Sequence, residues 1–243
     1  MPRQWLPATE SRLTLLFALQ ALGPVRRDQL ERFVLTLGLM NYFDLGENLA
    51  QLESLGQTEA RPHPAGPLWR LSAAGKLALD TYEGRVPASR REAVLAAAPE
   101  WSARFRRAQD APFFVETDAA GRRSLRLEIV ERDRRVLSLT LNPAPAQSPE
   151  DWPERAPALW RDLLALLSAD EPADTGSPQA TVRPTDEGWA AILTHRAPEG
   201  PSLTLTLWSG TEAEARRTAC ALAAQEEAAA AAVRRALAGW FSP

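Results

Sequence analysis

The punctuation of residues 38–75 by Gly38, Gly56 and a proline-dense tip constrains this chain more than any other feature. After Gly38, Leu39-Met40-Asn41-Tyr42-Phe43 leads into apolar positions Phe43, Leu45, Leu49, Leu52 and Leu55. Most of these recur at three- and four-residue steps, which predicts a helix over 41–55 with those side chains on its buried face. Gly56 stands where such a helix should stop. Thr58-Glu59-Ala60-Arg61, the tip Pro62-His63-Pro64-Ala65-Gly66-Pro67 and the return Leu68-Trp69-Arg70-Leu71 read as strand, stiff turn and strand. Ser72 then serves as N-cap for a helix over 73–83. Upstream, Leu13, Leu16, Phe17 and Leu19 give a periodic helix over 11–22 that Gly23-Pro24 ends. Leu30, Phe33, Val34 and Leu37 give a second over 27–37. Three helices, a hairpin and a closing helix make a winged helix-turn-helix.

Beyond Pro87 the helical pattern runs to Ala98, and Trp101 to Gln109 either continues it past Pro99 or starts anew. From Pro112 the period becomes two. Phe113-Phe114-Val115, Leu125-Arg126-Leu127-Glu128-Ile129 and Val136-Leu137-Ser138-Leu139-Thr140-Leu141 alternate as half-buried strands do. A helix follows over 153–167, then a polar Pro/Gly linker over 170–177. The same order returns in Ala180-Thr181-Val182, Trp189-Ala190-Ala191-Ile192-Leu193 and Leu203-Thr204-Leu205-Thr206-Leu207, closed by one helix over 211–240. The expectation is therefore α+β: a winged helix over 1–86, a helical connector over 87–111, and two similar βββα units over 112–169 and 178–243.

Charge decides what the winged helix does. The chain has 28 basic and 31 acidic side chains, net −3, so no overall basic balance argues for nucleic acid. No apolar run is long enough to span a bilayer, and Gln4-Trp5-Leu6-Pro7 after Arg3 is too short for an export signal. Cys220 is the only cysteine, which fits a reducing cytoplasm, and its Ala-rich surroundings suggest a small buried or semi-buried hydrophobe. It cannot complete a zinc site, and His63 and His195 are isolated, expected at the surface or in turns. With no phosphate-cradling glycine loop and no nucleophile elbow, neither an enzyme nor a cofactor is expected. Trp152, Trp160, Trp189, Trp208 and Trp240 fall in the second half, where they line a small-molecule pocket or fill core.

Several of these segments carry a resemblance. The early helix, Leu39-Met40-Asn41-Tyr42-Phe43, Leu49-Ala50-Gln51-Leu52-Glu53-Ser54-Leu55-Gly56, Arg70-Leu71-Ser72-Ala73-Ala74-Gly75 and Tyr82-Glu83-Gly84-Arg85-Val86-Pro87 resemble an uncharacterised family of clostridia and relatives. That family is known as a domain of unknown function and is often labelled as transcriptional regulators. The likeness covers roughly residues 8–167. It implies a winged helix plus a small α+β domain, and it supplies no catalytic residue and no ligand.

In a DNA-binding winged helix the third helix enters the major groove. Here Asn48 and Gln51 are the candidate base readers, Asn41 is a further polar DNA-binding candidate on the helix, and Arg26, Arg27, Arg61, His63 and Arg70 are the supporting cations. Against this, Asp44, Glu47 and Glu53 share a helix that has no Lys or Arg, which costs affinity for a phosphate lattice. The arginine groups 90–91, 104–107, 122–123 and 132–135 make either a phosphate-contacting belt or, the favoured reading since carboxylates are interleaved with them, a solvated, salt-bridged surface. The leading expectation is a cytoplasmic DNA-binding transcriptional regulator with a sensing or dimerising C-terminal domain. The alternative is a winged helix used for protein contact. Expected partners are duplex DNA, a second copy of the chain or another protein, with no membrane.

Overall fold

The computed structural model describes residues 8–145, 149–168, 180–196 and 202–239. The fold is mixed α/β, helical toward the N-terminus with a large sheet in the C-terminal part. It divides into two compact units, Met1–Arg106 and Arg107–Pro243.

In the first unit α1 (Ala8–Leu22), α2 (Arg27–Thr36) and α3 (Tyr42–Ser54) precede a hairpin of β1 (Thr58–Arg61) and β2 (Leu68–Leu71). After it come α4 (Ala73–Tyr82), a 3-10 turn (Glu83–Arg85) and α5 (Ala88–Asp110). Both ends of α3 follow from single residues. Asn41 stays extended while its Oδ1 accepts the Asp44 backbone N–H at 2.8 Å, which satisfies an orphan donor of the first turn. Gly56, at φ +61, lets its own amide and that of Gln57 return to the carbonyls of Glu53 and Leu52, a closure that needs a left-handed residue. At the start of α4, Ser72 Oγ accepts from Gly75 N–H at 3.1 Å. Gly75 has a steric reason to be glycine: a Cβ there would lie 1.9 Å from the Gln57 carbonyl oxygen. The hairpin pairs Thr58 with Leu71 and Arg61 with Leu68. Val25, between α1 and α2, adds a short bridge to Trp69, with N–H···O distances of 3.0 and 2.6 Å.

The core of this unit joins Leu15, Leu16, Phe33, Leu45, Leu49, Leu52 and Leu79 to Val94, Ala98 and Phe105 of α5. Trp101 meets both Phe33 and Phe105 edge-on, with centroids 5.6 and 5.4 Å away. The helix is continuous through Pro99. One sequence expectation fails here. Phe43 is 84% exposed and Leu55 is 56% exposed, so neither belongs to the buried face of α3. Phe43 lies two positions, about 200°, from the buried Leu45, and Leu55 is already the C-cap.

The second unit is one antiparallel sheet of six strands, in the order β3-β4-β5-β8-β7-β6. The strands are β3 (Phe113–Thr117), β4 (Arg123–Glu131), β5 (Arg134–Asn142), β6 (Ala180–Thr185), β7 (Gly188–Arg196) and β8 (Ser202–Ser209). Helix α6 (Trp152–Leu167) follows β5, and α7 (Glu212–Ala224) and α8 (Glu226–Ala236) follow β8. At the centre of the sheet Leu137, Leu139 and Leu141 pair with Leu207, Leu205 and Leu203. On one face these leucines meet Leu125, Leu127, Trp152, Leu159, Leu163, Leu222 and Val233 in a single core.

Three expectations are corrected in this unit. The closing helix is two helices, broken at Gln225, whose Nε2 donates to the Leu166 carbonyl at 2.9 Å. No Gly or Pro marks that break, so the pattern alone gave no stop. Cys220 is exposed, because α7 buries Ala215, Ala219 and Leu222 instead. His195 is buried rather than at the surface. Its Nδ1 lies 2.7 Å from Glu226 Oε1, and its Nε2 lies 3.0 Å from Arg234 Nη2, which ties β7 to α8. Trp152 is core, Trp160, Trp189 and Trp208 are half-buried, and Trp240 lies outside the described residues.

Candidate functional site

Helix α3 positions most of the residues singled out in the sequence, and its packing decides which of them face outward. Leu45, Asn48, Leu49 and Leu52 form the buried side. Asn48 therefore does not reach solvent as a base reader would: its Nδ2 donates to the Asp44 carbonyl at 2.6 Å. Asn41 is spent on the cap, with Nδ2 also donating to Asp44 Oδ2 at 2.9 Å. Gln51 is held at both ends. Its Oε1 accepts from Arg12 Nη1 and its Nε2 donates to Glu47 Oε1.

The arginines expected to meet phosphates all pair with carboxylates. Arg26 makes two bonds to Asp28 at 2.9 Å, and its Nη1 reaches the Ala65 carbonyl in the hairpin tip at 3.4 Å. Arg27 bridges Glu31 at 3.0 Å and Glu53 of α3 at 3.2 Å. Arg70 pairs with Glu59, and Arg61 lies 3.8 Å from the same carboxylate. His63 Nδ1 accepts the Ala65 amide at 3.0 Å, which stiffens the tip. The fold thus gathers Arg27 with α3, and Arg61 with Arg70 on the hairpin, yet it balances each group with acid.

What α3 turns outward is a different set. Tyr42 and Phe43, 66% and 84% exposed, meet edge-on with centroids 6.0 Å apart. Glu47, Ala50 and Glu53 continue the exposed side. The sequence held a signal for this stripe, since Phe43, Glu47, Ala50 and Ser54 follow four- and three-residue steps. It was hidden because Phe43 counts as core in any composition-based pattern.

A family model described as a domain of unknown function, DUF4364, matches residues 11–167. The chain belongs to this family. The DUF4364 match takes in α1 through α6 and ends before β6, so it includes half of the six-stranded sheet. Comparison with curated proteins and with solved structures finds no match.

Elsewhere among the described residues of this DUF4364 chain, three ionisable groups depart from their ordinary behaviour. Burial pushes the Glu128 carboxyl up, against the pull of Arg135 and Arg126. Burial lowers the Arg90 guanidinium, opposed by Glu10. Hydrogen bonds from the Arg122 backbone and side chain hold Asp118 down. Among the described residues no group of three His, Cys, Asp or Glu could hold a metal ion, and no helix is long and apolar enough to cross a membrane.

Proposed function

We propose that the first unit is a winged helix that acts in the cytoplasm by docking a protein through α3, while the second unit is a fused pair of βββα halves that carries it. The element order supports the winged helix, and so does the Val25–Trp69 bridge, which ties the segment between α1 and α2 to the hairpin. The sheet order and a register centred on the Leu139–Leu205 pair support the duplication. One observation carries the functional reading: the exposed side of α3 offers Phe43, Glu47, Ala50 and Glu53, with no cationic side chain. Exposed aromatics anchor protein contacts, whereas an acidic helix with no Lys or Arg of its own is a poor match for phosphates. The matching partner is a segment with apolar side chains flanked by lysines or arginines.

Duplex DNA is the second reading, favoured by the exposure of Arg26, Arg27, Arg61 and Arg70 in surface ion pairs. Such pairs are worth about 0–1 kcal/mol, so phosphates could replace the carboxylates at little cost. Four phosphates would give a log–log salt slope of about −4. Fluorescence anisotropy on genomic duplexes at low salt separates the two, alongside photocrosslinking from position 43 in the native host. The protein reading expects no duplex binding, and a discrete crosslinked partner that disappears in Glu47→Lys/Glu53→Lys. Duplex binding that Arg61→Ala and Arg70→Ala weaken would overturn it in favour of DNA.

A further inference from the structure

The face of the sheet turned away from the helices carries a feature that the α3 reading leaves unused. Glu128 of β4 has a side chain only 1% exposed, lying between Arg126 Nε at 3.2 Å and Arg135 Nε at 3.4 Å. Neither contact is aligned as a hydrogen bond. Both Glu128 oxygens and both Nε atoms are shielded from solvent and make none. The arrangement is deliberate in the backbone. Strand β5 has one extra residue opposite Ile129 and Val130, so Arg135 pairs with Val130 and shares the face of Glu128. Without that bulge the strict alternation of β5 would send Arg135 to the leucine face. Each guanidinium sits over an aromatic ring, Arg126 over Phe114 with Cζ 4.9 Å from its centroid and Arg135 over Trp208 at 5.3 Å.

Among the described residues, exposed carboxylates are what hold their outer edges. Arg126 Nη2 meets Glu116 at 3.1 Å and Arg135 Nη2 meets Glu187 at 3.6 Å. The arginine side chains remain 35% and 26% exposed. Two guanidiniums, each over an aromatic ring and sharing one buried and poorly bonded carboxylate, form an incomplete anion clamp. Threonine and serine on a solvent-facing strand would need no such explanation; a buried carboxylate without hydrogen bonds does.

We propose that Arg126 and Arg135 bind a small dianion, a phosphate monoester or a dicarboxylate, which displaces Glu116 and Glu187 from the outer guanidinium edges. The surrounding charges make this binding proton-linked. The groups that face Glu128 are Arg126, Arg135, Glu116 and Glu187; with Glu128 itself that makes three carboxylates against two guanidiniums when all are ionised. Neutralising Glu128 removes the repulsion nearest the clamp, so affinity rises as Glu128 takes up its proton, at any pH where the ligand is still a dianion. This site lies in the second unit and stands independently of the docking role of α3.

The test is isothermal titration of the full chain with phenyl phosphate, inorganic phosphate and succinate, with tryptophan fluorescence as a second readout for Trp208. Saturable binding of at least one dianion is expected, with the phosphate and succinate arms distinguishing the two chemistries. Glu128→Gln, which mimics the neutral carboxyl, should tighten it on the order of tenfold, the equivalent of one pKa unit. Removing an arginine alone would strand Glu128, so the loss is read in Glu128→Gln/Arg126→Gln/Arg135→Gln against Glu128→Gln. A loss of tenfold or more supports the clamp. No binding of any of the three by Glu128→Gln, or binding that survives loss of both arginines, overturns it.

Discussion

Glu128 shows how a single residue links sequence to stability in this molecule. In the sequence it is one polar position in an alternating strand, and nothing local distinguishes it from Glu131, three residues on. Its second arginine, Arg135, comes from the neighbouring strand through a bulge, which no local pattern reveals. The same blindness affected Asn48, which looked like a surface amide until the phase of α3 was fixed, and Arg27, whose partner Glu53 lies on another helix. The raised Glu128 pKa has a definite consequence. The folded chain holds that proton more tightly than the unfolded chain, so stability falls as pH climbs from the ordinary carboxylate value of 4.5 through the raised one. Glu128→Gln cannot ionise and removes this dependence. Thermal melts from about pH 4 to about pH 8 should show the variant more stable than wild type at the upper end. The gap should close toward the lower end. A wild type that loses stability relative to the variant on acidification would reverse the sign and sink the argument.

At the scale of elements, the readable parts were those that chemistry punctuates. Asn41, Gly56 and Ser72 each make the cap that their residue type suggests, and α3, the hairpin and α4 stand within a residue or two of their expected limits. The break between α7 and α8 was hidden because tertiary packing, not a breaker residue, sets it: Ala229, Ala230 and Val233 all turn into the core. Phe43 misled for a related reason, since hydrophobicity records what a side chain prefers and not which way the helix turns it. Gly75 marks the tightest element junction. Any side chain there meets the Gln57 carbonyl, which also accepts the Ser72 amide, so neither the end of α3 nor the start of α4 can yield alone. Gly75→Ala should destabilise the protein by about 1–3 kcal/mol or more, the range for forced overpacking, even though alanine favours helices by about 1 kcal/mol. Urea denaturation measures it. A neutral or stabilised variant would mean that propensity outweighs the clash and that the corner is loose.

For the whole molecule, the central fact is where the chain places the join between its two sheet halves. The DUF4364 match ends at residue 167, after three strands and α6, yet the sheet continues through β5 into β8. Leu137, Leu139 and Leu141 are then buried in the middle of six strands, where they would otherwise lie on an unpaired edge. An uncovered apolar edge invites pairing with another chain. Residues 180–239 satisfy that edge from within the same polypeptide, and α8 completes the cover through Arg155, which donates to the Ala236 and Ala238 carbonyls at 2.9 and 2.8 Å. The association should therefore survive loss of the covalent link. Residues 1–168 and 178–243, produced as separate chains in one cell, should co-purify as a one-to-one complex with the melting behaviour of the intact protein. Residues 1–168 alone should self-associate through the bared β5 edge or aggregate. Thr140→Pro in that fragment removes an edge donor and should suppress the pairing. Light scattering after size-exclusion chromatography reads each case. A fragment that stays monomeric and folded would show that the three-strand half is self-sufficient, and that the second half is an addition to a complete domain rather than the partner its edge requires.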